Sequence, residues 1–112
     1  MKPWQVEYTE EAVKDVGAFD SSVREQVYKA IYKVSQNPLP KSEGGYGIPL
    51  GNKHGKNLTG LYKIKLLKLG IRVVYRIIRD GGIMKIIVIA ARADDEVYKI
   101  AVRRNKPGRI LR

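Results

Sequence analysis

The chain is short and strongly basic: it has 112 residues, of which 22 are Lys or Arg and 11 are Asp or Glu, and its formal net charge is +11. This length suits a single domain with one hydrophobic core. The absence of cysteine excludes disulfide frameworks, zinc ribbons and thiol nucleophiles. A single histidine, His54, excludes metal sites that need several histidine ligands. We therefore expect neither a metal site nor a cofactor.

The excess of cations indicates a polyanionic partner. Nucleic acid is the first candidate and an acidic protein the second, while a basic surface without a partner is the remaining alternative. No segment is apolar and long enough to span a membrane, and the N-terminal residues lack the apolar core of a signal peptide. We therefore expect a cytoplasmic protein that does not act at a membrane.

The first third of the chain predicts a strand followed by two helices. Apolar and polar residues alternate over residues 4–8, as in a half-buried strand. Thr9 is expected to cap the first helix. Ser22 and Glu25 fit a capping box at the start of the second helix, which Pro38 would end.

The remainder predicts a loop, a β-meander and a closing helix. Residues 37–60 are rich in Gly and Pro and favour one long loop. Three strands are predicted, over residues 61–67, 71–79 and 84–91. Acidic residues 94–96 favour the start of a helix, and residues 105–112 form a basic tail. The expected fold is α+β, with an N-terminal strand and helical hairpin packed on a curved antiparallel meander and a C-terminal helix. It forms one domain over residues 1–112.

Cations are predicted on one face of two neighbouring strands. Lys63 and Lys65 share a face of the first strand, and Arg72 and Arg76 share a face of the second. Few carboxylates on these strands balance them. The alternative to a binding site is that these cations are solvated on an outer face of the sheet and bind no partner.

Two further residues are expected to join these cations at one end of the sheet. Arg92 ends the third predicted strand, and Tyr98 follows on the closing helix. Lys and Arg bind phosphate and stabilise the extra negative charge of a phosphorane. Tyr can stack on a base or move a proton, and nearby cations are expected to lower its pKa. RNA contains its own nucleophile, the 2′-hydroxyl, so such a site needs no metal.

The loop adds further candidates for RNA contact. Lys53, His54 and Lys56 lie close together in sequence, and Arg76 extends the strand cations. No carboxylate near His54 in sequence would orient it as a general base, so contact with RNA or exposure to solvent in the loop is preferred to a catalytic role.

The segments that contain these cations resemble the RelE branch of the RelE/ParE toxin superfamily. The resemblance is strongest in Tyr62-Lys63-Ile64-Lys65-Leu66, in residues 70–76, and from Ala91-Arg92 to Tyr98. It implies a fold similar to microbial RNases and a toxin of a type II toxin–antitoxin module. It also implies a set of catalytic residues: Lys63, Lys65, Arg72, Arg92 and Tyr98.

The activity implied by the resemblance is ribosome-dependent cleavage of mRNA. The 2′-hydroxyl attacks the adjacent phosphate and leaves a 2′,3′-cyclic phosphate and a 5′-hydroxyl. Arg72 and Lys63 would hold the phosphate, Lys65 or Tyr98 would assist deprotonation, and Arg92 would stabilise charge and help to protonate the leaving oxygen. The implied partners are mRNA on the ribosome and an acidic antitoxin, with operator DNA bound only through the toxin–antitoxin complex.

Two other functions stay open at this point. One is inhibition of DNA gyrase, as in ParE-like toxins, although these generally lack the five-residue set. The other is a non-catalytic, RelE-like binding module. Ala91 and Ala93 replace basic residues of the family, and Asp94 stands where a further arginine often occurs.

Overall fold

The computed structural model describes residues 4–51 and 58–105. Within them, five strands form: β1 Gln5–Tyr8, β2 Ile48–Gly51, β3 Leu58–Leu66, β4 Ile71–Ile78 and β5 Ile83–Ala90. Three α-helices form in the same residues: α1 Glu10–Gly17, α2 Ser21–Ser35 and α3 Asp94–Arg104. None of the helices in this part of the chain combines the length and hydropathy needed to cross a membrane.

The strands form one mixed sheet in the order β1-β5-β4-β3-β2. The three strands of the predicted meander, β3 to β5, are antiparallel to one another, and β2, which was not predicted, pairs antiparallel with β3. Strand β1 lies parallel to β5, with Gln5 opposite Ile83 and Tyr8 opposite Ile86. The predicted α+β class is confirmed, and the parallel edge makes the sheet mixed rather than wholly antiparallel.

Helices cover both faces of the sheet. Apolar side chains of α1 and α2, among them Val16 and Ile31, pack with Val73 and Ile86 on one face. Val97, Tyr98 and Ala101 of α3 pack on the other face against a set that comprises Leu61, Val74 and Val88. Alternation along each strand therefore divides the core in two, and the predicted site residues Lys65 and Arg72 belong to the α3 side.

The N-terminal helices begin where short polar side chains cap them. Thr9 Oγ1 accepts a hydrogen bond of 3.1 Å from the Ala12 backbone N–H, as predicted. The predicted capping box at Ser22 is wrong. Asp20 is the cap, and its Oδ1 accepts from the Val23 N–H at 3.0 Å, so α2 begins earlier than expected.

The predicted loop over residues 37–60 is also wrong in its extent, because it contains β2 and the start of β3. Its first part is anchored to the sheet: the buried Tyr75 hydroxyl donates to the Pro38 carbonyl at 2.8 Å. A Cβ at Gly47 would lie 2.5 Å from that carbonyl oxygen and 2.8 Å from the Tyr75 hydroxyl. Glycine is therefore required for this close approach.

Candidate active site

Lys65 and Arg72 lie directly opposite each other on β3 and β4. Both belong to the sheet face that packs against α3, because Leu61 and Val74 on the same alternation are buried in the α3-side core. Like charges in directly opposed positions destabilise a strand pair unless an anion lies between them.

Asp94 supplies that anion from the first residue of α3. Its Oδ2 accepts from the Lys65 ammonium at 3.4 Å, and its Oδ1 accepts from Nε of the Arg72 guanidinium. We call these three residues the Asp94 cluster. Burial opposes ionisation of the Asp94 carboxyl, but the hydrogen bonds from Arg72 and then Lys65 outweigh it and lower its pKa.

Arg72 is also held by backbone oxygens. Its Nη1 donates to the Arg92 carbonyl at 2.9 Å and to the Gly70 carbonyl at 3.3 Å. The guanidinium therefore donates from Nη1 to backbone carbonyls and from Nε to the Asp94 carboxylate. These bonds join the β3–β4 turn to the segment between β5 and α3.

Arg92 follows the end of β5, at the rim of the sheet, as predicted. Its side chain is 58% exposed, and its Nη1 lies 3.9 Å from Oε2 of Glu96, one helical turn further along. Arg92 thus contributes its backbone carbonyl to the Asp94 cluster and presents its guanidinium to solvent.

Tyr98 is buried against the sheet, with 1% of the residue exposed. The expectation that nearby cations lower its pKa is wrong. Burial raises the pKa of Tyr98, the Asp94 carboxylate raises it further, and Arg72 opposes the shift only in part. The phenol therefore lies within electrostatic reach of the Asp94 cluster and keeps its proton at neutral pH.

An ion pair anchors the other end of α3. Arg104 donates from Nη1 to Asp15 Oδ2 at 2.8 Å and to the Ile87 carbonyl at 2.8 Å, and Asp15 also accepts from the Ile89 N–H at 3.0 Å. Both partners are mostly buried. Helix α3 is thus tied to the sheet near both of its ends, which fixes the position of Tyr98 between them.

The remaining predicted site residues are Lys63, Arg76 and three residues of the loop. Lys63 lies on the same face as Lys65, opposite Val74 of β4. Arg76 is half-buried, and its Nε has no hydrogen-bond partner among the described residues. Lys53, His54 and Lys56 lie outside the described residues, so their predicted contact with RNA stays a prediction.

The sequence pattern predicts Lys65 and Arg72 as candidate site residues but not the carboxylate that contacts them. From the sequence alone, Asp94 is an acid at a helix start and a departure from the family pattern. Lys65 and Arg72 are opposed cations, and neither of their strands contains a carboxylate. This pattern is the signal in the sequence that an anion from another element must lie between them.

No family model matches the chain. Curated relatives do: the chain is 31% identical over 99 residues to the mRNA interferase toxin RelE of Escherichia coli strain K12, covering 88% of this chain and 94% of that protein. It is 30% identical over 101 residues to a RelE-like toxin protein of Escherichia coli, covering 90% and 96%.

Solved structures agree with these relatives. A mutant of Escherichia coli RelE in the free state is 28% identical, with a TM-score of 0.69 over 94% of this chain and 100% of that chain. The same toxin in complex with a peptide of its antitoxin RelB gives a TM-score of 0.64 at 28% identity, over 98% and 100%. The RelBE2 toxin–antitoxin complex of Mycobacterium tuberculosis, at 24% identity and a TM-score of 0.65 over 84% and 97%, supports the fold.

Proposed function

Because the chain belongs to the RelE family of toxins, we propose that it is an endoribonuclease that cleaves mRNA on the ribosome and is neutralised by a cognate antitoxin. The observation that supports this most strongly is the Asp94 cluster. It brings Lys65 and Arg72, two of the five residues that match the family pattern, around one anion-binding position. Operator DNA would be bound only by the toxin–antitoxin complex.

The reaction is an internal transesterification of RNA. The 2′-oxygen forms a bond to the adjacent phosphorus, the bond from phosphorus to the 5′-oxygen breaks, and the products are a 2′,3′-cyclic phosphate and a 5′-hydroxyl. The 2′-hydroxyl loses its proton to solvent, and the 5′-oxygen gains one. The cations of the site supply charge stabilisation, which is a large part of phosphoryl-transfer catalysis.

We assign each residue a role in this reaction from its surroundings in the structure. Arg72 and Lys63 hold the phosphate, and Lys65 stabilises the negative charge that develops on the 2′-oxygen. Arg92, exposed at the rim, stabilises the phosphorane. We assign the Tyr98 phenol, which carries a proton at neutral pH, as the donor to the 5′-oxygen, and its raised pKa makes the phenolate harder to form and Tyr98 a poor candidate for the base.

A groove beside Arg92 offers space for the RNA. It has a volume of about 780 Å³, lies between α1, the end of β5 and α3, and includes Ala91 and Ala93 in its lining. Arg92 is the one predicted catalytic residue in the described lining of this groove, so the groove would receive nucleotides beyond the scissile phosphate and not the phosphate itself.

The test is cleavage of an mRNA by the purified protein with and without programmed ribosomes. We expect cleavage only on ribosomes, with 5′ ends that a polynucleotide kinase can label directly and 3′ ends that carry a cyclic phosphate. Intact mRNA under both conditions would support the non-catalytic binding module. Inhibition of DNA supercoiling by gyrase, with intact mRNA, would support a ParE-like activity.

A further inference from the structure

The Asp94 cluster presents one carboxylate to two cations in the way that a phosphodiester would. A phosphodiester also has a single negative charge and two equivalent oxygens that accept from Lys and Arg. Asp94 places Oδ1 on Arg72 and Oδ2 on Lys65. A phosphate cannot use the same donors of these two cations until the carboxylate has moved away.

The carboxylate is able to move without disturbing its cations. Its side chain is 29% exposed, and it lies on the first residue of α3, where the helix dipole stabilises a negative charge in more than one orientation. Arg72 keeps its hydrogen bonds to the Arg92 and Gly70 carbonyls when Asp94 leaves. The guanidinium therefore stays oriented, with its Nε turned toward the incoming anion.

We propose that Asp94 is an internal anion that occupies the position of an RNA phosphate, and that RNA binds by displacing its carboxylate from Lys65 and Arg72. This inference rests on the proposed function for the identity of the ligand. The carboxylate offsets one of the two positive charges of Lys65 and Arg72 while RNA is absent, which reduces binding to RNA in general. Productive binding then requires enough additional contacts, such as those on a ribosome, to displace it.

The experiment measures binding of the protein to a short single-stranded RNA whose scissile nucleotide is 2′-deoxy and therefore cannot be cleaved. Asp94→Asn should raise the affinity about fivefold or more, because it removes a competing ion pair. The slope of log affinity against log salt should stay close to that of the parent, because the RNA phosphate contacts Lys65 and Arg72 in both proteins once the carboxylate has been displaced.

Three further variants separate displacement from a general charge effect or a loss of structure. Glu25→Gln removes the same charge from the exposed face of α2, across the sheet from the site, and should change the affinity by less than about twofold. Asp94→Glu retains the carboxylate and should bind like the parent protein. The affinity gain of Asp94→Asn should disappear in an Arg72→Ala background, because the released cation is then absent.

An affinity of Asp94→Asn equal to or below that of the parent would overturn the proposal, and so would a gain that Glu25→Gln matches. Parental affinity together with lost cleavage on ribosomes would also overturn it, since Asp94 would then act in the chemical step. If Asp94→Asn binds more tightly but neither protein cleaves mRNA on ribosomes, the displacement holds and the proposed function fails.

Discussion

Lys65 and Arg72 are direct partners across β3 and β4, and both contact the same carboxylate, Asp94, from the start of α3. The Asp94 carboxylate offsets the repulsion between the two opposed cations, and its contacts with them join the sheet to α3. The same three groups surround the position that we propose for an RNA phosphate. Stability and proposed activity therefore depend on the same charges and can be separated by experiment.

Replacing Asp94 by Asn should lower the free energy of unfolding by about 1 kcal/mol at pH 7, the upper range for a partly exposed ion pair. The pKa of Asp94 is lowered in the folded state, so the stabilisation is present above its ordinary value of 3.8 and is lost as the pH falls through the folded value. The difference between parent and variant should therefore shrink toward zero in strong acid.

Urea unfolding of both proteins between pH 7 and pH 3 measures this difference. Glu25→Gln is the control, because it removes a carboxylate from an exposed helical position. A difference between parent and Asp94→Asn that is constant across this pH range would mean that the ion pair does not stabilise the fold.

The ion pair between Asp15 and Arg104 should contribute more to the free energy of unfolding than the contacts of Asp94 do. Asp15 accepts from the Arg104 guanidinium and from the Ile89 N–H, and both partners are mostly buried. Asp15→Ala should lower the free energy of unfolding by about 2–3 kcal/mol, because hydrogen bonds to a charged group are lost and the buried guanidinium loses its counter-ion. Chemical denaturation tests this, and a loss equal to that in Asp94→Asn would contradict it.

Gly47→Ala should destabilise the protein by about 2 kcal/mol, as over-packing does in tight sites. The added methyl group would collide with the Pro38 carbonyl and the Tyr75 hydroxyl. Gly17→Ala is the matched control, because nothing lies within 4 Å of a Cβ there and its φ is not positive. The control should be neutral or stabilising by up to about 1 kcal/mol. Equal melting temperatures for the two variants would contradict the packing of this loop.

Tyr98→Phe tests whether the phenol moves a proton. The substitution keeps the buried ring and removes only the hydroxyl, so the fold should be retained. Loss of a proton donor should slow single-turnover cleavage on ribosomes about a hundredfold or more. A rate close to that of the parent would restrict Tyr98 to a packing role in the α3-side core.

The sequence predicts those features that depend on local patterns. Alternation in β3 to β5 placed Lys65 and Arg72 on one face, and the acidic residues at 94–96 marked the start of α3. Contacts between residues distant in sequence were not predictable in this way. Strand β1 pairs with β5, 78 positions further along the chain. The pairing of Asp94 with Lys65 spans 29 positions.

Two local predictions failed for physical reasons. The segment Ile48–Gly51 is a short edge strand that contains Pro49, and proline is tolerated at an edge because one side of the strand needs no ladder hydrogen bonds. Tyr98 was expected to be surrounded by cations, but the helix that places it near Arg72 also buries it and brings the Asp94 carboxylate close. Both of these effects raise its pKa.

We propose that Lys65 and Arg72 of the Asp94 cluster, together with Arg92 at the rim of the sheet, perform RNA cleavage. Single-turnover cleavage of mRNA on a programmed ribosome by the parent and by Arg92→Ala tests this proposal. Arg92 is exposed, so its removal leaves no cavity in the core, and the melting temperature should stay near that of the parent. We predict a rate lower by about a hundredfold or more, as for removal of a group that stabilises the transition state. A rate near that of the parent would show that the active site does not lie at this end of the sheet.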